Sequence, residues 1–336
     1  MEGRLVFCLL ATAMATTSGA AWAAASNTAG KSAEFPEKGR PITLIVPWPA
    51  GGSADVAARL LAASMETDLG VPIQVVNRGA AGGQVGMTSI AKSKPDGYTI
   101  GYSNVESGSL LYLNPERAAV YSLKDLQPLA RHTVEPVGIS VKGDGPYKTM
   151  QDLVKAAKDT PRKIKMSTPG KLNSSHLGIL EIEKVTGAKF LAVHFAGGTP
   201  AMTAIMGGHV DAYIGALGVS APYTKSGQIR VIGVAGTEEV KYLPGVKTIQ
   251  AQGINYVSYV TRGMMMPAGA PKDVVQRLNQ AAKKAMDNPE HHKRMEETGA
   301  EVRYLGPDEF RAYWVQVEKR FDPLLQQALK EEDAAK

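Results

Sequence analysis

The chain has 336 residues, of which 44% are hydrophobic and 21% are charged, and its formal net charge is +6. This composition excludes the disordered, collagen-like and low-complexity classes, and the length predicts two domains. Lys and Arg are spread among Asp and Glu, and no basic stretch carries interleaved aromatic residues, so a nucleic-acid partner is not expected. An anionic ligand remains compatible with the basic balance.

The N-terminus has the pattern of an export signal. Arg4 precedes an apolar run over 5–15, and small residues then lead to an A-x-A cleavage site at Ala21-Trp22-Ala23. The run is shorter than the roughly 20 apolar residues that a membrane-spanning helix needs. We therefore predict a signal peptide over 1–23, a polar linker over 24–34 and a periplasmic mature protein. A buried N-terminal helix is the alternative.

Alternating strands and helices follow the linker. Short β-branched runs and helical spacing of apolar residues predict strands at 42–46, 73–76 and 98–102 and helices at 53–69 and 84–92. Gly70 and Pro72 close the first of these helices. Strands and helices in this order predict right-handed crossovers and a mostly parallel sheet.

The same alternation restarts after Val141. It predicts helices at 150–158, 174–185 and 200–207 and strands at 163–167, 190–194, 212–215 and 231–235. The last third is helical, with one helix at 271–286 and a second at 307–329 that is interrupted near Pro323.

Two extended segments, at 134–141 and 254–262, would join the two α/β units and leave a cleft between them, where small ligands usually bind. The predicted fold is therefore two-lobed α/β, with two mostly parallel sheets, a hinge and an interlobe cleft. We expect the first lobe to comprise 35–137 and 258–336 and the second lobe to comprise 138–257.

Three loops share one design, in which a strand ends, a Gly or Pro turn follows, and a Ser, Thr or Asn stands at the start of a helix. They are PAGGS at 49–53, TPGKLNS at 168–174 and GGTP at 197–200. Helix N-termini present unpaired N–H groups and a positive dipole end, and glycine permits close approach, which together suit an anion. The alternative is that Ser53, Ser174 and Thr199 only cap their helices.

Longer motifs occur in four segments, in order along the chain. They are RPITLIVPWPAGGSADVAARLL at 40–61, VVNRGAAGGQVG at 75–86, KPDGYTI at 94–100 and VHFAGGTPAMTAIMGGHVDAYIGAL at 193–217. Each resembles a motif of the periplasmic solute-binding proteins of tripartite tricarboxylate transporters, also called the Bug family. The remaining length is compatible, so the resemblance covers essentially the mature chain.

The resemblance implies a periplasmic-binding-protein fold, type II-like, whose two lobes close on a small carboxylate and do no chemistry on it. The ligand would be a di- or tricarboxylate, an acidic amino acid or an aromatic acid, and no cofactor is implied. The implied partner is the membrane permease of a tripartite tricarboxylate transporter, and we expect a monomer. A protein that reports its ligand to a membrane signalling partner would use the same site and is the alternative.

Matching positions carry the family's binding residues over to this sequence. The resemblance implies ligand contacts at Pro49, Gly51, Gly52 and Ser53 in the first lobe and at Thr168, Gly170, Asn173, Ser174, Gly198 and Thr199 in the second. Asp211 occupies the aspartate of the family's GGxVD motif and would organise its loop or accept from a ligand hydroxyl or ammonium. A purely structural turn and cap role is the alternative for Asp211.

Three regions depart from the family pattern. Leu172 replaces the second Gly of the TPGxGS motif and Asn173 replaces its Ser, so close backbone approach at 172 is not assured. Trp48 stands where Phe or Tyr is common, and would stack on a flat ligand or pack against the hinge. His194 stands where Pro is common, and Lys171 would pair with an additional carboxylate or remain a solvated surface lysine.

A secreted hydrolase is the competing class. No G-x-S-x-G nucleophile elbow occurs in the chain, and the six His residues show neither H-E-x-x-H nor another metal spacing. The single cysteine, Cys8, lies inside the predicted signal peptide. The sequence therefore predicts a binding protein with neither a catalytic residue nor a metal site.

Overall fold

The computed structural model describes residues 35–334, and the predicted signal peptide and linker lie outside them. Within this range the chain forms ten strands: β1 Ile42–Val46, β2 Ile73–Asn77, β3 Thr99–Asn104, β4 Leu126–Lys142, β5 Lys165–Thr168, β6 Leu191–His194, β7 Ala212–Ala216, β8 Ile229–Val234, β9 Tyr259–Pro267 and β10 Glu301–Leu305. Each predicted strand is present, and β10 is additional.

The helices of the same range alternate with these strands: α1 Ser53–Leu69, α2 Gln84–Ala91, α3 Val105–Leu113, α4 Met150–Asp159, α5 Ser174–Thr186, α6 Gly198–Met206, α7 Leu217–Thr224, α8 Lys272–Met286, α9 Pro289–Glu297 and α10 Pro307–Ala334. The sequence patterns do not anticipate α3, α7 or α9. Among the described helices, none is long and apolar enough to cross a membrane.

The predicted interruption of the last helix near Pro323 is wrong, because α10 runs through this residue. A proline inside a helix costs about 3 kcal/mol. Phe310 and Trp314 are buried before the proline, and Leu325 and Ala328 are buried after it. Packing on both sides of Pro323 therefore holds the helix together.

The sheet has parallel outer parts and an antiparallel middle, in the order β2-β1-β3-β9-β4-β7-β5-β6, and β8 and β10 also pair with β4. Parallel pairs join β1 to β2 and β3, and β5 to β6 and β7. The prediction of two mostly parallel sheets is therefore refined by the central strands β4 and β9. These two strands run antiparallel because they carry the chain from the first lobe to the second and back.

Strand β4 belongs to both halves of the sheet. Residues 126–136 pair with β9, and residues 137–141 pair with β7. The extended segment predicted at 134–141 lies across this change of partner. The hinge is thus a continuous strand that is hydrogen-bonded on both sides of the cleft.

Each half of the sheet has an apolar core of its own. In the first half, α1 and α8 pack on β1, with residues such as Leu44, Leu61 and Leu278 fully buried. In the second half, Ile139 and Ile182 belong to the equivalent cluster. A further cluster brings Leu177 of α5 together with α10, so the halves also touch on the side of the C-terminal helix. This is the two-lobed α/β arrangement that the sequence predicts.

Candidate functional site

A cleft lies between the two halves where five strands end and five helices begin. Strands β1, β3, β5, β6 and β7 are each followed by the helix that contributes its N-terminal residues to the cleft wall, namely α1, α3, α5, α6 and α7. In α/β sheets, ligands bind at the carboxyl ends of the strands, where these helix N-termini converge. Five positive dipole ends therefore face one small space.

Seven of the residues predicted to contact a ligand line this cleft. They are Trp48, Pro49, Gly52, Ser53, Asn173, Gly198 and Thr199. The first-lobe and second-lobe loops also approach each other, since a Cβ built on Gly197 would lie 3.3 Å from Pro49 Cγ. At Gly198, a Cβ would lie 2.9 Å from a methyl group of Val219, so glycine is required for this close packing. The structure thus brings together the loops that the sequence singles out.

Four other predicted residues lie next to the cleft and support its walls. The Gly51 N–H donates to Asp55 Oδ2 over 2.9 Å and is therefore already used. The Thr168 hydroxyl donates to the Gly170 carbonyl over 2.9 Å, and Ser174 Oγ lies 3.1 Å from Ser107 Oγ. Contact of Gly51, Thr168, Gly170 and Ser174 with a ligand in this cleft is accordingly corrected to a supporting role.

The predicted contact of Asp211 with the ligand is also corrected. Asp211 precedes β7, whereas the cleft lies beyond the other end of that strand, at Ala216. Asp211 Oδ2 accepts a hydrogen bond from the Lys165 N–H over 2.8 Å. The residue therefore holds the start of β5 beside β7, which agrees with the structural alternative.

The interpretation of Ser53, Ser174 and Thr199 as caps alone is wrong. The N-cap positions of α1 and α6 are Gly52 and Gly197, neither of which makes a side-chain capping bond, and α5 is capped by Asn173. First-turn N–H groups of a helix have no partner within the helix. The first turns of α1 and α6 therefore keep backbone donors available to an anion.

Asp55 holds the first-lobe loop in shape. Its carboxylate accepts hydrogen bonds from the Gly51 N–H, the Arg59 guanidinium and the Asn77 amide, and Asn77 also donates to the Trp48 carbonyl over 3.0 Å. Burial by itself would raise the pKa of Asp55, but these hydrogen bonds outweigh it and the net direction is downward. The carboxylate is therefore ionised and fixes the loop before any ligand arrives.

A buried arginine, which the loop motifs do not indicate, lines the cleft. Arg262 on β9 pairs through Nη1 with Glu135 Oε2 on β4 at 2.5 Å, and its Nη2 donates to Ser53 Oγ over 2.8 Å. Burial by itself would lower the pKa of Arg262, but the Glu135 carboxylate reverses this and the net direction is upward. The pair places a fixed cation beside the α1 N-terminus while neutralising most of its charge.

Three buried donors at the cleft have no hydrogen-bond partner. They are Trp48 Nε1, Tyr213 Oη and Arg262 Nε, and all three residues line the cleft. Buried polar groups are nearly always hydrogen-bonded, so unpaired donors that converge on one cavity indicate a missing acceptor. A carboxylate supplies such acceptors and carries the charge that the helix dipoles favour.

Asn104 and Ser107 add a fourth polar loop to the cleft, at the junction of β3 and α3. The Asn104 side chain caps α3 by accepting from the Ser107 N–H over 2.8 Å. The sequence signal for this loop was available, because a strand here ends in an Asn that begins a helix. Arg262 and Tyr213 offered no comparable signal, since they lie within strands.

The positions that depart from the family pattern have specific contacts. Leu172 adopts φ 52°, the left-handed region that glycine favours, and its buried side chain packs with the α10 cluster. His194 Nδ1 bonds the Thr168 hydroxyl at 2.9 Å. Lys171 forms an ion pair with Glu332 at 2.7 Å, and Trp48 packs against the first core while lining the cleft. The close turn at 172 is thus kept without glycine.

Comparison with known proteins decides the family. The profile of the tripartite tricarboxylate transporter family receptor matches residues 57–328. The chain belongs to this family. One relative, the "UPF0065 protein in gbd 5'region" of Cupriavidus necator, is 30% identical over 289 residues, which cover 85% of this chain and 86% of that protein. The resemblance seen in the motifs is therefore confirmed, and the protein is a periplasmic solute-binding receptor of this family.

Solved structures of two family-like proteins from Rhodopseudomonas palustris share the fold. MatC with bound malate is 25% identical, has a TM-score of 0.79, and the match covers 87% of this chain and 100% of that chain. A protein solved with adipate is 25% identical, has a TM-score of 0.82, and the match covers 88% and 98%. The two-lobed binding-protein fold is thus confirmed, and family and fold point to a solute-binding protein rather than an enzyme.

Proposed function

We propose that this receptor captures a small organic carboxylate in the cleft between its lobes and delivers it to the membrane permease of a tripartite tricarboxylate transporter. The observation that carries the ligand class is the set of three unpaired buried donors beside the N-termini of α1 and α6. Delivery to a permease is supported by membership of the family. Export through cleavage after Ala23 remains part of the proposal, and intact-mass analysis of periplasmic protein should find a chain that begins near Ala24.

The proposed ligands are dicarboxylates. The structural neighbours that were solved with malate and with adipate support this class. One carboxylate would accept from the first-turn N–H groups of α1 and α6 and from the unpaired side-chain donors. Hydrogen bonds to a charged group contribute about 1.5–3 kcal/mol each, so three or four of them reach the scale of micromolar affinity after association costs.

Tyr213→Phe provides the sharpest test. The Tyr213 hydroxyl has no partner in the protein, so its removal should leave the ligand-free stability unchanged or slightly raised. If the hydroxyl donates to a carboxylate, affinity for that acid should fall about tenfold or more. Calorimetric titration with malate and adipate, and with their diamides as uncharged analogues, measures the effect.

Tyr121→Phe is the matched control. Tyr121 is another buried tyrosine whose hydroxyl has no partner, but it does not line the cleft. Its replacement should not change the affinity for either acid. Equal affinity of Tyr213→Phe and wild type, or equal binding of acid and diamide by the wild type, would defeat the proposed carboxylate site.

A further inference from the structure

A second cavity adjoins the cleft and is continuous with it. Four residues line both spaces: Trp48, Ser107, Pro169 and Asn173. The second cavity extends away from the helix N-termini between α3 and the loop that follows β6. A ligand held by its carboxylate in the cleft would therefore have an open path past Trp48.

The walls of this second cavity are mostly apolar. Leu110 and Leu111 of α3 face Leu172, Phe195 and Ala196 of the second lobe. No Asp or Glu is among the residues that line it. The space therefore suits a hydrocarbon or aromatic segment and sets no negative charge against an anion.

Arg117 is the cation of this cavity. Its Nη1 donates to the Ala81 carbonyl over 3.1 Å, and within residues 35–334 its guanidinium has no carboxylate partner. Lys171 also lines the cavity, but its charge is paired with Glu332. Arg117 thus keeps an uncompensated charge and spare donors at the cavity wall.

The glycine-rich turn places Arg117 close to Trp48. A Cβ built on Gly82 would lie 3.5 Å from Arg117 Nη2, and a Cβ built on Gly83 would lie 3.5 Å from Trp48 Cη2. Both glycines have left-handed φ values, 66° and 102°. Adjacent residues of one turn therefore touch the indole and the guanidinium, which places the two groups side by side along the path.

We infer that the second cavity is a subsite for a second anionic group, and that the ligand is an elongated diacid with an apolar middle. This inference rests on the proposed function, which supplies the first carboxylate. The first carboxylate lies at the α1 and α6 N-termini, the middle passes Trp48 and Leu110, and the second anionic group pairs with Arg117. The receptor should therefore favour diacids long enough to reach Arg117 over shorter ones.

The test compares matched acids on matched variants. Calorimetry is run with succinate, adipate, suberate and terephthalate, and with the monoacids butyrate, hexanoate, octanoate and benzoate. In the wild type, at least one of the longer diacids should bind about tenfold or more tightly than its monoacid. Arg117→Met should remove that advantage and leave the monoacid affinities unchanged, and Arg117→Lys should restore part of it.

Arg78→Met is the control, because Arg78 is an exposed arginine that bonds Ser89 and lines neither cavity. It should leave all affinities unchanged. The subsite is overturned if Arg117→Met affects diacids and their monoacids equally, or if no diacid outbinds its monoacid. If the wild type binds none of the acids, the proposed function itself fails, and the subsite fails with it.

Discussion

Arg262 Nη2 donates to Ser53 Oγ over 2.8 Å, so hinge strand β9 holds the first residue of α1 directly. Because Arg262 also pairs with Glu135 on β4, a single guanidinium connects both hinge strands to the helix that faces the ligand. The position of the α1 N-terminus is therefore coupled to the hinge. This relationship makes Ser53 a residue of the cleft and of the hinge at once.

Ser53→Ala should weaken ligand binding without unfolding the protein. The change removes an acceptor for Arg262 and a hydroxyl at the cleft, so adipate affinity should fall about tenfold. Stability should change by less than about 1 kcal/mol, because Gly52 and not Ser53 holds the N-cap position. Calorimetry and thermal unfolding measure both, with Ser89→Ala as control. A capping-sized stability loss with unchanged affinity would contradict this expectation.

Glu135→Ala should destabilise the fold strongly. The Arg262 and Glu135 side chains are 2% and 0% exposed, and removal of one partner of a buried pair typically costs about 3–5 kcal/mol. The Gly218 N–H would also lose its acceptor, since it donates to the same carboxylate. Urea unfolding of Glu135→Ala and of the double variant Glu135→Ala with Arg262→Met separates the terms. A double variant no more stable than the single one would refute a charge-based cost.

Stability should fall in mildly acidic solution because of a buried histidine pair. His132 Nε2 and His291 Nε2 lie 2.8 Å apart, and His132 Nδ1 bonds the Tyr102 hydroxyl. Burial, followed by His291 and Arg262, lowers the pKa of His132 well below 6.5, and burial lowers the pKa of His291 to about 4. Unfolding raises both pKa values to about 6.5, so the unfolded state binds more protons below that pH.

The melting temperature should accordingly be highest above about pH 6.5 and decline as the pH falls toward about 4. Thermal unfolding across this window measures the slope. His132→Gln should flatten it, whereas His209→Gln, at an exposed position, should not. An unchanged slope in His132→Gln would show that other groups control the acid transition.

Tyr242→Phe should favour the open form of the receptor. The Tyr242 hydroxyl of the second lobe donates to the Gly299 carbonyl of the first over 2.8 Å. Loss of one hydrogen bond that exists only when the lobes meet shifts the equilibrium by about 0.5–1.5 kcal/mol. Small-angle scattering should show a larger radius of gyration without ligand, and stopped-flow kinetics should show faster ligand release. Tyr223→Phe is the control, and identical behaviour of the two variants would argue against a closing contact.

Local patterns were sufficient for most of the elements and for the loops of the site. The turn PAGGS, the second-lobe GGTP and the strands before them are short-range features, whose conformation follows from glycine, proline and apolar spacing within a few residues. For the same reason the motifs at 40–61 and 193–217 identified the family before any coordinates. Where a local rule opposed long-range packing, as at Pro323 and Leu172, packing prevailed.

Only the tertiary structure decided which side chains share the cleft. Arg262, Tyr213 and Asp211 all lie within or beside strands, and their local sequence says nothing about which end of a strand faces the other lobe. The structure places Arg262 and Tyr213 at the cleft and Asp211 away from it. The sequence by itself determined the loops that can bind an anion, because backbone donors at a helix start depend on a few neighbouring residues. The charged and hydroxyl groups around them come from distant parts of the chain, and only the pairing of β4 with β9 and β7 brings those parts together.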